Sequence, residues 1–326
     1  MSIKSMGAAH GKPFYYAGLI TVIFIWSTTP VINPYLYQYV SPTIASFISG
    51  LVAVISLIPV VGKNFALLDK KLLRVAIPTG LINSAASLIQ KIGLLYTTPS
   101  RYAFLENLSC VIVPIMMFVF VRKKPTKIKI LSALLCLFGC FLLSGAASGG
   151  GAAVGIGEVL CSVSGILYGI NIAATAAFAA GLYAPLYVFV HMVVHSVASG
   201  ISAIALNSIT FGGAPISAAY FELNTVVFLV LIGMALLSYT FCWIVRTNVM
   251  KHLDATVVAV MMPFSAVLTG VLSILLGMDN LSPSLLFGAT AMLLASILSS
   301  LSDLKEKPSK EPKVYESKTK SKHSFA

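Results

Sequence analysis

SLIQKIGLLYTTPSRYAFLENLSCVIVPIMMFVFVRKKPTKIKILSALLCLFGCFLL, residues 87–143, holds three apolar segments. A polar turn of Thr97, Thr98, Pro99, Ser100 and Arg101 divides the first two. A basic run, Arg122, Lys123, Lys124, Lys127 and Lys129, divides the second from the third. The middle segment, 103–121, has 19 residues. As a helix it is about 28 Å long, which matches a bilayer core of about 30 Å. The stretch is therefore expected to cross a membrane repeatedly. Its polar residues Gln90, Lys91, Glu106 and Asn107 gather around one turn, and polar groups in lipid cost enough to mark a task.

Composition extends this reading to the whole chain. Of 326 residues 58% are hydrophobic and 10% charged, with mean hydropathy +0.93, against about 25% charged residues in soluble domains. The first apolar run, 14–40, is too long for a signal peptide and lacks a small-residue cleavage pattern, so it is expected to remain as the first span. The five cysteines, Cys110, Cys136, Cys140, Cys161 and Cys242, all lie in apolar segments without a CxxC pair. They read as small packing residues, and neither a disulfide framework nor a metal site is expected.

Runs of about 20 apolar residues predict ten spans, at 14–36, 42–61, 72–95, 100–121, 127–144, 157–180, 185–206, 225–246, 255–276 and 283–301. With the N-terminus in the cytoplasm, 20 of the 22 Lys and Arg residues fall on the cytoplasmic side. Arg246 and Lys251 are counted there with the basic run; the outside loops hold only Arg101, and Lys91 is within a span. This asymmetry predicts an even number of spans and two cytoplasmic termini. Because the net charge of +12 sits in short loops and a tail, it reads as a topology signal and no nucleic-acid partner is expected. Tyr15 and Tyr16 at one end of the first span, with Tyr35, Tyr37 and Tyr39 at the other, fit interfacial belts.

The sequence also divides in two. SGAASGGGAAVGIG, residues 144–157, is Gly-rich and near the middle of the chain, as a linker between halves would be. Displacing the chain by 156 residues lays 97–145 over 253–301 without a gap, pairing Ala103 with Ala259, Ser109 with Ser265, Val111 with Val267, and Leu137 with Leu293. Five spans is an odd number, so a second copy enters the membrane in the opposite sense. The expected architecture is an all-α membrane protein of ten transmembrane helices in two inverted five-helix repeats, 1–145 and 157–302. The linker is 146–156, and the Lys-, Ser- and Pro-rich tail, 303–326, is expected to be disordered and cytoplasmic. Substrate sites in inverted-repeat transporters lie near the midplane where the copies meet.

The residues from Gln90 through Gly93, Leu94, Leu95, Tyr96, Thr97 and Thr98, then Ala103, Phe104, Leu105, Val113 and Pro114, followed by the basic Arg122 to Pro125 and by Leu137, Phe138 and Gly139, resemble the first repeat of EamA-type members of the drug/metabolite transporter superfamily. Trp26 and Ser27 fit the family's usual start. Gly157, Glu158 and Leu160, then the run 254–263 with Gly277 and Gly288, are similar to its second repeat. Where the family often has a glycine followed by glutamate, this chain has Gly277, Met278 and Asp279 in one half and Lys123 and Lys124 in the other, so that acidic residue's role does not carry over. The resemblance implies ten helices in two inverted halves and secondary transport of small organic solutes, commonly exported amino acids, metabolites or drugs.

Candidate substrate-binding residues are polar or aromatic and lie within spans: Trp26, Asn83, Gln90, Lys91, Tyr102, Glu106, Asn107, Tyr168, Asn171, His191, His195, Tyr239 and Trp243. Asn83, Ser87, Gln90 and Lys91 share one face of the third span. Lys91 and Glu106 are expected to meet near the outer mouth, either on the transport path or solely for packing. His191 and His195, four apart, suit proton relay or substrate contact as well as packing. The rings and amides suit a small-solute pocket.

No GxxxxGK[ST] loop appears, so the expected activity is secondary transport of a small organic metabolite across the plasma membrane, more often outward, by a monomer that needs no cofactor and couples to a proton or another ion. The lipid bilayer and a small-molecule substrate are the expected partners. Two alternatives stand beside this one, a membrane-embedded enzyme and a channel. The enzyme reading is opposed by only ten acidic residues, with no cluster at metal or nucleophile spacing, and the channel reading by the repeat.

Overall fold

The computed structural model describes residues 11–122, 124–143, 155–205, 210–211, 214–215, 220–222, 224–278 and 283–305. Most of the expected linker, all of the tail beyond residue 305, Lys123 and Asp279 lie outside them. The described residues form thirteen α-helices: α1 (Lys12–Leu36), α2 (Pro42–Val61), α3 (Lys70–Leu94), α4 (Pro99–Leu105), α5 (Ser109–Val121), α6 (Lys127–Leu143), α7 (Ile156–Phe178), α8 (Ala184–Ala205), α9 (Thr225–Met234), α10 (Cys242–Val249), α11 (Ala255–Met261), α12 (Phe264–Leu275) and α13 (Pro283–Lys305). Thr210–Phe211 and Ala214–Pro215, β1 and β2, add one short antiparallel pair.

Among the described residues eight segments are long and apolar enough to cross a membrane: Lys12–Leu36, Pro42–Leu67, Lys70–Leu94, Arg101–Val121, Ile156–Phe178, Ala184–Ala205, Thr225–Val249 and Ala255–Leu275. Their outer faces carry exposed Phe24, Ile55, Leu81 and Leu229, which a bilayer solvates and water does not. The chain is a multi-pass membrane protein. The fifth and tenth expected spans are also helices; α6 has 17 residues and α13 carries the apolar stretch Leu286–Ser299. These two pack against each other: a Cβ on Gly139 would stand 2.8 Å from the Gly288 carbonyl oxygen, a close backbone approach that small residues permit.

Helix boundaries repeat along the chain. α3 and the segment Thr225–Val249 each have 25 residues and begin 155 positions apart. Each starts behind a side-chain cap: Asp69 accepts from the Leu72 N–H at 2.7 Å and Asn224 from the Val227 N–H at 2.8 Å, satisfying a donor that a helix start leaves open. α4 and α11 are both seven residues long and begin at Pro99 and Ala255, 156 positions apart. α6 and α13 begin at Lys127 and Pro283, again 156 apart. The fourth and ninth expected spans are therefore each broken at the same place, the first by the 3₁₀ turn Glu106–Leu108 and the second at Met262 and Pro263.

Three interactions join distant parts of the chain. Asp254 caps α11 through its Oδ1, 2.9 Å from the Thr256 N–H, while its Oδ2 lies 3.4 Å from Lys129 Nζ with both side chains buried. The segment after β2 returns to the α1–α2 turn, where the Glu222 N–H donates to the Tyr39 carbonyl at 2.8 Å and the Ser41 N–H to that of Tyr220 at 3.0 Å. In the turn after α10, Lys251 donates to the Leu182 carbonyl, joining it to the α7–α8 turn. Burial there lowers the Lys251 ammonium to about 8. Lys129, read from sequence as part of a basic run that signals topology, is thus one half of a buried ion pair.

Candidate functional site

Residues on α1, α3, α4, α5, α7, α10 and α12, on the 3₁₀ turn and on the segment between α9 and α10 surround a cavity of about 120 Å³, room for on the order of ten water-sized groups. Two local features give it shape. Ala235–Phe241 is a π-helix, in which the Thr240 hydroxyl reaches back to the Ala235 carbonyl at 3.3 Å. The wider turn brings Ser238 and Tyr239 to the cavity wall, and such π segments recur at functional sites. On the other side the break after α4 exposes the turn containing Glu106 and Asn107, and α7 comes close enough that a Cβ on Gly165 would stand 2.4 Å from the Leu105 carbonyl oxygen. Only glycine fits there.

Ten of the residues singled out in the sequence line this cavity together: Trp26, Asn83, Gln90, Lys91, Tyr102, Glu106, Asn107, Tyr168, Tyr239 and Trp243. The Tyr168 hydroxyl donates to Gln90 Oε1 at 2.9 Å, and Trp26 Nε1 to the Ser238 carbonyl at 3.2 Å. Lys91 does not pair with Glu106. Its ammonium donates to Ser46 Oγ at 2.6 Å and to the Tyr239 hydroxyl, because α2 and the π segment offer oxygens to the same face of α3.

Asn171, His191 and His195 are not on the wall. The Asn171 amide donates to the Thr79 carbonyl at 2.7 Å. His191 Nε2 lies 3.0 Å from Thr79 Oγ1 and 3.2 Å from the Tyr187 hydroxyl, so it belongs to a buried cluster of neutral groups behind the wall. Its ring is 5.3 Å from that of Trp243, and the His195 ring 5.4 Å from that of Tyr239. Both histidines support cavity residues from the side away from the cavity. The cause is packing: α8 lies against α2 and α3, and the i, i+4 face that carries the pair points into that contact.

Arg246, assigned from sequence to the cytoplasmic edge, is 3% exposed and lines the cavity. Its guanidinium carbon is 4.8 Å from the Trp243 ring centre and 5.7 Å from that of Trp26. It occupies the same place on Thr225–Val249 as Lys91 does on α3, three residues before the last. Other lining residues are related by the same offsets: Asn83 with Ser238, Glu106 with Met262, and Ser109 with Ser265. Comparing corresponding positions of the two halves is the sequence signal that would have brought Arg246 forward. Thr29 Oγ1, Asn83 Oδ1, Gln90 Nε2 and Arg246 Nε are buried with no hydrogen-bond partner among the described residues. Buried polar groups are seldom left so, and four of them on residues around one cavity are suited to a polar solute.

Among the described residues no group of three or more His, Cys, Asp or Glu side chains could hold a metal. Residues 13–145 match the model of the EamA-like transporter family, so the resemblance read from the sequence holds over that part of the chain. An uncharacterized transporter of Archaeoglobus fulgidus is 25% identical over 302 residues, which cover 92% of this chain and 90% of that protein. A solved crystal structure is similar in fold, with a TM-score of 0.69 at 15% identity over 91% of this chain and 100% of its own. The family match over residues 13–145 supports membrane transport as the activity.

Proposed function

We propose that this chain is a secondary transporter that moves a small organic metabolite across the plasma membrane by alternating access, in the outward direction, with a proton or another ion as the coupling partner. The observation that carries this reading is a cavity at two helix breaks, four pairs of whose lining residues stand 155 or 156 positions apart. Interrupted helices in matching places of a repeat mark the substrate site in transporters of this construction, because the break frees backbone groups that a cavity can use. The proposed architecture is two inverted five-helix units, with α6 and α13 as the fifth and tenth spans and both termini cytoplasmic. In that arrangement Lys91 lies toward the outer face and Arg246 toward the inner face. The cavity residues named above contact the substrate; Asn171, His191 and His195 position them.

Uptake and counterflow in proteoliposomes, with a mixed pool of labelled amino acids, carboxylates, amines and cationic drugs and with or without a pH gradient, test the proposal. Saturable flux that is stimulated by solute on the opposite side is the expected result. Flux that rises linearly with concentration would support a channel, and chemical conversion of a solute would support an enzyme; either would overturn the transporter reading.

A further inference from the structure

The cavity wall carries three ionisable groups, Lys91, Glu106 and Arg246, leaving aside the tyrosine hydroxyls. Two are cations and one is a carboxylate, so the wall has a surplus of positive charge. Lys91 is already engaged, but by the hydroxyls of Ser46 and Tyr239, which satisfy its donors and leave its charge in place. Arg246 is different. Among the described residues it makes no ion pair and no side-chain hydrogen bond, and its buried Nε has no partner, while two indoles flank it. A buried guanidinium with open donors and aromatic neighbours is a recognition site for a planar or tetrahedral oxyanion: five N–H groups in a fixed fork match carboxylate and phosphate oxygens, and the rings hold the fork in place without competing for those oxygens.

We propose that the solute carried by this protein is a small organic anion whose carboxylate or phosphate group is bound by Arg246 between Trp26 and Trp243. This rests on the transport reading for what happens after binding, but the binding itself does not. Glu106, Gln90, Tyr102 and Tyr168 line the rest of the wall and receive the remainder of the solute. A solute of net positive charge meets two like charges in a confined space, which excludes it.

Trp26 and Trp243 are the only two tryptophans in the chain, so intrinsic fluorescence reports this site directly. The test is a titration of the full chain in lipid nanodiscs with valerate, valeramide, pentylamine and butyl phosphate. The expected result is a saturable change with valerate, butyl phosphate or both, and none with the amide or the amine; which anion binds more tightly separates a carboxylate from a phosphate site. In Arg246→Gln the anion affinity falls roughly tenfold to a hundredfold, the loss expected for charge-assisted hydrogen bonds, and Arg246→Lys recovers part of it. Equal responses to valerate and valeramide, a response to pentylamine alone, no saturable response to either anion, or an unchanged affinity in a folded Arg246→Gln variant would each overturn the proposal. Should that variant not fold, the comparison of acid with amide on the parent protein decides. Anion binding without anion counterflow in proteoliposomes would instead contradict the transport reading and leave the anion site standing.

Discussion

At the scale of single residues, the polar groups inside spans divide into those that hold the fold and those that face the cavity. Lys129 and Asp254 belong to the first kind. Removing one member of a buried ion pair leaves an uncompensated charge, which costs about 3 to 5 kcal/mol. Lys129→Met or Asp254→Asn is therefore expected to lower the melting temperature of the detergent-solubilised protein sharply, whereas Lys70→Met, at an exposed position, leaves it near the parent value. Asparagine still caps a helix, so the double variant Lys129→Met with Asp254→Asn should regain most of the loss; a double variant as unstable as the sum of the singles would contradict a direct pair. His191 and His195 lead to a different expectation. Because they stand behind the wall, His191 against the Thr79 and Tyr187 hydroxyls and His195 against the Tyr239 ring, His191→Gln with His195→Gln should keep the pH profile of transport, measured as initial rate against pH. A shifted profile would return them to the proton path. The sequence pointed to Gln90, Asn83 and Glu106 through their position inside apolar runs, and to Lys91 because apolar residues continue past it through Ile92, Gly93, Leu94 and Leu95. Arg246 and Lys129 escaped because each lies within a turn of a segment end, where a long basic side chain ordinarily snorkels to water and where a charge is counted as a topology signal. Depth is a property of packing: the direction a terminal-turn side chain takes depends on which neighbouring helix covers it.

Elements place these residues. The π segment Ala235–Phe241 contains one residue more per turn than the α-helix around it, and Tyr239 and Ser238 lie on the widened turn. Deleting Leu237, which is half exposed, should return the segment to α-helical spacing without disturbing the caps at Asn224 and Asp254. The variant is expected to insert and to fold but to lose transport, because Tyr239 turns away from Lys91; undiminished flux would show that the widened turn is dispensable. Gly165 makes a second prediction at this scale. Its closeness to the Leu105 and Glu106 carbonyls leaves no room for a methyl group, so Gly165→Ala should push α7 off the helix break and reduce the transport rate at least tenfold, the result of a small displacement in a positioning contact. A variant with parental rate would mean that the break does not need α7 against it. Apolar length and flanking charge made the helices legible in the sequence. The helix breaks and the π turn were not legible: Glu106 and Asn107 stood out as polar residues without marking a backbone break, Met262–Pro263 carries one proline, and the π turn Ala235–Phe241 sits in an apolar run.

For the whole molecule, the expected two-part organisation rested on a 156-residue displacement with a handful of identities, weak evidence in an apolar chain. The structure adds element boundaries that recur at 155 or 156 positions and cavity residues that correspond in pairs. In the proposed architecture a solute site composed in this way lies between two units that rock against each other, so that access passes from one membrane face to the other. On that proposal Lys91 and Arg246 mark the two ends of the path, each three residues before the end of its own segment. The most direct measurement of this account is two-sided accessibility of a cavity position. In a protein whose five native cysteines, all buried, are replaced by alanine, Ser87→Cys or Ser265→Cys is treated in oriented membranes with a membrane-impermeant thiol reagent applied from one side at a time. The account predicts that each cysteine reacts from either face and that a transported solute, held at saturation, changes the two rates in opposite senses. Reaction from one face only under every condition, or from neither, would contradict alternating access through this cavity.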